Sequence, residues 1–224
     1  MHEVSLKGIT IPVNIPGITT AEELISYCAR VSNPSNQLNT DTSSKLLAYL
    51  VREKHWSPFE MVNLVIEIRT TRDIGRQILR HRSFSFQEFS QRYAAVDPSL
   101  FVKRESRLQD HKNRQNSIET QDDALQVAWN DYQDHVADAA VKAYEWAIEN
   151  GIAKEQARAV LPEGITPSVM YMNGTLRSWL HYCSLRMGNG TQKEHRLIAD
   201  DIYHNIICQE FPSIRNIINQ EENK

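Results

Sequence analysis

Glycine is scarce in this 224-residue chain, with eight in all, and neither Gly-x-Gly-x-x-Gly nor a P-loop occurs. Rossmann domains and P-loop kinases need such glycines where backbone approaches phosphate, so both are excluded. Cysteine is scarcer still. Cys28, Cys183 and Cys208 lie far apart with no Cys-x-x-Cys pair, which argues against a disulfide framework or zinc site. Each reads as a small buried apolar residue. The eight histidines show no His-Glu-x-x-His spacing, so no metal is expected. No apolar run approaches the ~20 residues of a membrane span, and Met1–Gly8 lacks the pattern of a secretory signal. A cytoplasmic protein without membrane contact is the expectation. Positive charge is also lacking: the net charge is -3 and the pI about 6.2. The chain as a whole is not built to sit on nucleic acid.

What is present suffices for one domain over residues 1–224, with 41% hydrophobic content for its core. The pattern predicts a strand-like piece over Val4–Val13, then a capping box, Thr20-x-x-Glu23, opening a helix to about Val31. A second helix is expected over Thr42–Lys54. Met61–Arg69 is the clearest strand, with Val62, Leu64, Ile66 and Ile68 alternating onto one face. Thr71–Leu79 reads as a helix that would carry Gln77, Arg80 and His81 on one face. Asp97–Gln121 is polar and reads as an exposed or mobile connection. A long helix is expected over Ile118–Asn150, with Leu125, Trp129, Tyr132, Val136 and Ala143 on a stripe suited to a scaffold or subunit contact. Asn150-Gly151 ends it. A short helix over Ala153–Val160, a strand over Ser168–Met172 and a helix over Thr175–Met187 follow. Thr191-x-x-Glu194 would cap a last helix to about Gln209. Helices around a few strands without βαβ alternation define an α+β class.

One stretch does not fit a purely structural role. Arg80–Tyr93 holds three arginines, a histidine, a glutamate, three serines and four aromatic rings. Buried, the guanidinium groups would each cost several kcal/mol unpaired; on an open surface the rings would have little use. A pocket wall fits both, offering forked donors to phosphate or carboxylate and apolar faces to a flat ring. A single-stranded nucleic-acid surface over 80–93 is the alternative, since basic residues interleaved with aromatics suit base stacking.

The spacing narrows the choice. Arg80-His81-Arg82, seven residues, then Ser90-Gln91-Arg92-Tyr93 resembles the signature of flavin-dependent thymidylate synthases. Further segments are similar in the same order: Cys28-Ala29-Arg30-Val31-Ser32, His55-x-Ser57-Pro58-Phe59-Glu60, Ala157-Arg158-x-x-Leu161-Pro162, and Leu176-Arg177-Ser178-Trp179 with Leu185-Arg186. The resemblance implies reductive methylation of dUMP to dTMP, with FAD as cofactor, methylenetetrahydrofolate as carbon donor and NADPH as reductant. It also implies a homotetramer with active sites shared between subunits. By position, Gln77, Arg80, Glu88, Ser90, Gln91, Arg92, Arg158 and Arg186 would hold dUMP. Ser57, Arg80, His81, Arg82, Glu88, Thr175, Arg177 and His181 would hold FAD. Arg186 would be catalytic, its guanidinium favouring the ionised uracil.

Ser90 could also be read as a nucleophile, but its Arg and Glu neighbours supply no general base and fit a phosphate ligand better. No cysteine follows a proline, which excludes the unrelated cysteine-dependent thymidylate synthases. Thr175 and His181 stand where some members of the family carry Asn, a departure that bears on flavin affinity. Trp56, Trp129 and Trp179 read as core.

Overall fold

The computed structural model describes residues 2–215. Its centre is the strand that the alternation predicts, β2 (Asn63–Thr71). Leu64, Ile66 and Ile68, with Val62 just before them, are fully buried, while Asn63 and Arg69 face outward. β1 (Glu3–Ile9) pairs antiparallel on one side of it, with a bulge between Leu6 and Gly8. The strand-like piece therefore ends at Ile9, short of Val13. On the other side lies β6 (Pro167–Thr175), longer at both ends than Ser168–Met172. β3 (Ser85–Glu88) adds antiparallel to its far edge, giving the order β1-β2-β6-β3.

One face of this sheet carries the core. Against it pack α1 (Ala21–Ala29), α2 (Ser43–Arg52), α6 (Leu176–Arg186) and α7 (Lys193–Asp201). α7 runs on through a π-helical segment, Ile202–Ile207, into α8 (Cys208–Glu210). Ile25, Leu47, Phe59, Trp179, Tyr182 and Tyr203 are among the side chains closed off completely. The Trp179 indole donates to the Leu64 carbonyl at 3.3 Å, so a large apolar ring is buried without orphaning its N–H. The capping box forms: Glu23 N–H donates to Thr20 Oγ1 at 3.2 Å, and Thr20 N–H donates back to Glu23 at 2.9 Å.

Several boundaries differ from expectation. The long helix, α4 (Asp123–Glu149), begins five residues after Ile118. Asp122 caps it by accepting from Leu125 N–H at 2.9 Å. Segment 97–121 is not one loop. It holds a hairpin, β4 (Arg107–Gln109) with β5 (Ser117–Glu119). The side-chain amide of Gln133 clamps the Arg104 backbone just before that hairpin, accepting at 2.7 Å and donating at 2.9 Å. The stripe assigned to α4 faces solvent: Leu125, Trp129, Tyr132 and Val136 are 39 to 70% exposed. Trp129 is therefore not core, and Trp56 is only partly buried. The buried face is Gln133, Ala140, Tyr144 and Ala147. Its C-terminal half packs with Val96 and Ala157 in a small second core. Gly151, at φ +77, takes the left-handed conformation that ends the helix after Asn150. The 153–160 segment is α5 (Lys154–Ala157) running into a 3-10 turn over Arg158–Val160. Cys183 and Cys208 are buried as expected; Cys28 is only half-buried. Among the described residues no helix is long and apolar enough to cross a membrane.

Candidate active site

Two helices leave the central ladder with no loop between. α3 (Arg72–Ile78) starts where β2 ends, and α6 starts where β6 ends. Because Thr71 pairs with Pro167 and Asn63 with Thr175, the helices start from opposite ends of one antiparallel ladder. His81 follows α3 and Arg186 closes α6, and there the two runs meet. Arg186 Nε donates to His81 Nε2 at 2.8 Å. Only a neutral imidazole can accept that bond. Burial, with the Arg186 and His181 charges adding to it, lowers the His81 pKa to about 4.

Behind this pair lies a relay of polar side chains whose orientations follow from one carboxylate. Arg107 donates to Glu194 and Arg104 lies 3.5 Å from it. Despite burial, these contacts hold the Glu194 pKa at about 2, so it only accepts. Gln192 must then turn its amide N–H toward Glu194, at 2.9 Å, and its carbonyl toward the Gln77 amide N–H, at 2.8 Å. That leaves the Gln77 carbonyl facing His195 Nδ1 at 3.3 Å. Nδ1 therefore carries the proton, and Nε2 accepts from the Tyr182 hydroxyl at 3.0 Å. His195 is fully buried, and that burial holds its pKa near 3. The Tyr182 ring stands edge-on to His81 at 4.9 Å.

A second group surrounds a cleft of about 450 Å³ lined by Arg72, Arg76, Gln91, Glu155, Arg158 and Glu163. Gln91 is 4% exposed, and its Nε2 is buried with no hydrogen-bond partner among the described residues. A donor left unmatched in this way costs about 1–3 kcal/mol until something accepts from it. Among the described residues Arg158 has only the Glu155 carbonyl, at 3.3 Å. Arg92 reaches Glu155 at 3.4 Å, and Ser90 Oγ accepts from Arg92 N–H at 3.4 Å. Glu88 accepts from Ser168 at 2.7 Å and lies 3.6 Å from Arg72.

A third group sits at the other end of α6. Arg177 pairs with Glu60 of the 3-10 turn Ser57–Glu60, and exposed His181 follows one turn later. The Thr175 hydroxyl caps α6, accepting from Ser178 N–H at 3.2 Å and donating to Ser178 Oγ at 3.1 Å.

Gln77, His81 and Arg186 are thus brought together, as are Gln91 and Arg158. Arg80 is not on the shared face expected of it. α3 ends at Ile78, so Arg80 turns outward while Gln77 and His81 both border His195. Arg80 and Arg82 are exposed, with no ion pair among the described residues. The aromatic set also divides. Phe84 is buried against Trp179, whereas Phe89 and Tyr93 face out at 38% and 82% exposure. Tyr182, His195, Gln192 and Arg72 were not anticipated. His195 shares an i, i+3, i+4, i+7 face with Ile198, Ala199 and Ile202. A histidine on so apolar a stripe was the available signal. Thr191 does not cap α7; Gln192 holds that position, and Glu194 is drawn away to Arg107.

An antiparallel α+β fold with an arginine-lined cleft and a guanidinium held by a neutral histidine defines a protein suited to a phosphorylated small molecule. Residues 16–213 match the family model described as thymidylate synthase complementing protein, and the chain belongs to that family. It is 50% identical over 209 residues to the probable flavin-dependent thymidylate synthase of Paramecium bursaria Chlorella virus 1, covering 93% of this chain and 95% of that one. It is 49% identical over 193 residues to the flavin-dependent thymidylate synthase of Synechocystis, covering 86% and 87%. Among solved structures it is similar to the UMP/dUMP methylase PolB from Streptomyces cacaoi bound with 5-Br dUMP. There the TM-score is 0.82 at 25% identity, covering 98% of this chain and 95% of that one.

Proposed function

We propose that this single-domain chain methylates dUMP reductively to dTMP, with FAD as cofactor and methylenetetrahydrofolate and NADPH as co-substrates. The observation that carries this reading is the Arg186–His81 bond. A guanidinium held by a neutral acceptor keeps its whole positive charge for a ligand; a carboxylate partner would have neutralised it. Placed beside the pyrimidine, Arg186 stabilises uracil ionised at N3 and so activates C5 toward the one-carbon unit. Gln91 and Arg158, with Ser90 and Arg92 at the rim, supply the donors for the 5′-phosphate. Gln77, set by His195 and Gln192, faces the same nucleotide. Arg80 and Glu88 complete the set taken from the family pattern.

The donor set fits a dinucleotide. Arg80, Arg82 and Arg177 are exposed cations suited to a pyrophosphate, with the Ser57 hydroxyl beside Glu60 and with His81, Glu88 and His181 as further polar contacts. Thr175 fits least, because its hydroxyl is committed to capping α6. When bound, FAD supplies the two-electron reduction. The outward Arg80 and Arg82, together with the exposed stripe of α4, support a site shared between subunits of a homotetramer. A cytoplasmic setting suits these co-substrates.

The visible spectrum of the FAD-loaded protein, with and without dUMP, tests the reading. A flavin band perturbed by dUMP, and turnover that falls by about a hundredfold or more in Arg186→Ala, are expected. A protein that takes up no FAD and leaves dUMP unchanged would sink it.

A further inference from the structure

The hairpin β4–β5 and the start of α7 enclose a second pocket, of about 330 Å³, that shares Arg107 and Gln192 with the relay described above. Arg107, Arg114, Lys193 and Arg196 line it, against the single carboxylate Glu119. Glu105 and Glu194 stand behind two of these cations, so four cations meet three carboxylates and a formal surplus of one positive charge remains in a small concavity, where low-dielectric walls concentrate the field. Arg107 and Lys193 are held in place by carboxylates: Arg107 by Glu194, and Lys193 by Glu105 at 2.9 Å and by Glu119. Arg114 and Arg196 have no ion pair among the described residues. A further donor is left over, because Arg107 Nη1 is buried with no hydrogen-bond partner among the described residues. A polypeptide with net charge -3 has carboxylates enough to neutralise such a cluster. Here, among the described residues, it leaves Arg114 and Arg196 without one.

The pocket also touches the nucleotide site. Gln192 lines it and accepts from Gln77, and Glu194 on the same helix holds Arg107. A ligand long enough to react at Arg186 could rest its far end here.

We infer that this pocket binds the multiply charged anionic end of a co-substrate, as a subsite separate from the one for the dUMP phosphate. The inference rests on the proposed function, whose two co-substrates each carry such a group. NADPH has a ribose 2′-phosphate, and a reduced folate has glutamate carboxylates. Both satisfy the same chemistry, an oxyanion taking forked donors from two free guanidinium groups.

The test uses the FAD-loaded full chain and its Arg114→Ala, Arg196→Ala and doubly substituted forms. Among the described residues neither side chain makes a hydrogen bond or ion pair, so melting temperature should change little. Adenosine 2′-phosphate and tri-γ-glutamate are titrated calorimetrically, and KM is measured for NADPH, NADH and polyglutamylated folate. Loss of a charge-assisted contact should weaken binding by about tenfold per arginine, with kcat little altered. Weakening confined to adenosine 2′-phosphate, with the NADPH preference over NADH lost, assigns the pocket to the reductant. Weakening confined to tri-γ-glutamate assigns it to the folate. Affinities and KM values that survive the double substitution unchanged overturn the inference. A wild type that binds either anion yet never converts dUMP leaves the pocket standing and removes the functional reading instead.

Discussion

The ring of Phe84 lies across Gly174 so closely that a Cβ added at residue 174 would stand 2.3 Å from its Cδ1. Phe84 sits at the middle of the 80–93 stretch and Gly174 near the end of β6, so this contact sets how tightly the stretch folds onto the sheet. Gly174→Ala must push the ring off Trp179, its neighbour at 4.7 Å. Overpacking of this kind costs about 1–3 kcal/mol. Urea denaturation should show that loss, and dUMP affinity should fall with it as Ser85–Glu88 lifts from β6.

The two buried imidazoles give a pH signature. His81 and His195 have folded pKa values of about 4 and about 3, against 6.5 for the free side chain. The unfolded chain therefore binds protons first, and stability falls as pH drops below 6.5. The loss ends near pH 3, where both states are protonated. Melting temperature measured across this window should decline, and His195→Gln should flatten the profile. An unchanged profile in that variant would remove His195 from the account.

Gln91 should trade stability against binding. Its Nε2 is buried in the cleft without a partner among the described residues, so Gln91→Met relieves an unmatched donor and should leave the free protein as stable or more so, by about 1 kcal/mol. The same change removes a contact proposed for the phosphate, and the dUMP dissociation constant should rise about tenfold. Thermal shift with and without dUMP reads both effects. Loss of stability together with unchanged affinity would contradict them.

Tyr132 and Val136 are 70% and 53% exposed on α4, and the proposed homotetramer would cover this apolar surface. Val136→Asp with Tyr132→Asp should shift sedimentation from the proposed tetramer to smaller species and reduce turnover, while the circular dichroism of the folded chain stays the same. Sedimentation unchanged by both aspartates would place the subunit contact elsewhere.

Elements whose determinants lie within a few residues could be read from the sequence. β2 followed from its alternation, α1 from Thr20 and Glu23, and the end of α4 from Asn150-Gly151. Where a distant partner decides, the local pattern misled. Ser85–Glu88 is a strand because β6 offers it an edge. Thr191 fails as a cap because Arg107, far away in the chain, draws Glu194 aside. On α4 Trp129 was expected in the core, yet it is 41% exposed. The packing space beside Val96 and Ala157 instead admits Ala140, Tyr144 and Ala147. The site divides the same way. Residue types at 80–93 indicated anion chemistry and the family resemblance pointed to Arg186, but the relay through Tyr182, His195 and Gln192 exists only once α3, α6 and α7 are packed together.

The loop-free junctions at Thr71–Arg72 and Thr175–Leu176 make the β2–β6 ladder a ruler between the two halves of the site. Its nine paired positions fix how far Gln77 and His81 stand from Arg186. One residue inserted in either strand would slide α3 against α6 by about 3.3 Å and turn buried faces outward. No hydrogen bond of the Arg186–His81 kind spans that offset. Length variation among relatives should therefore gather between 97 and 122 and at the chain ends, and stop at the borders of these two strands.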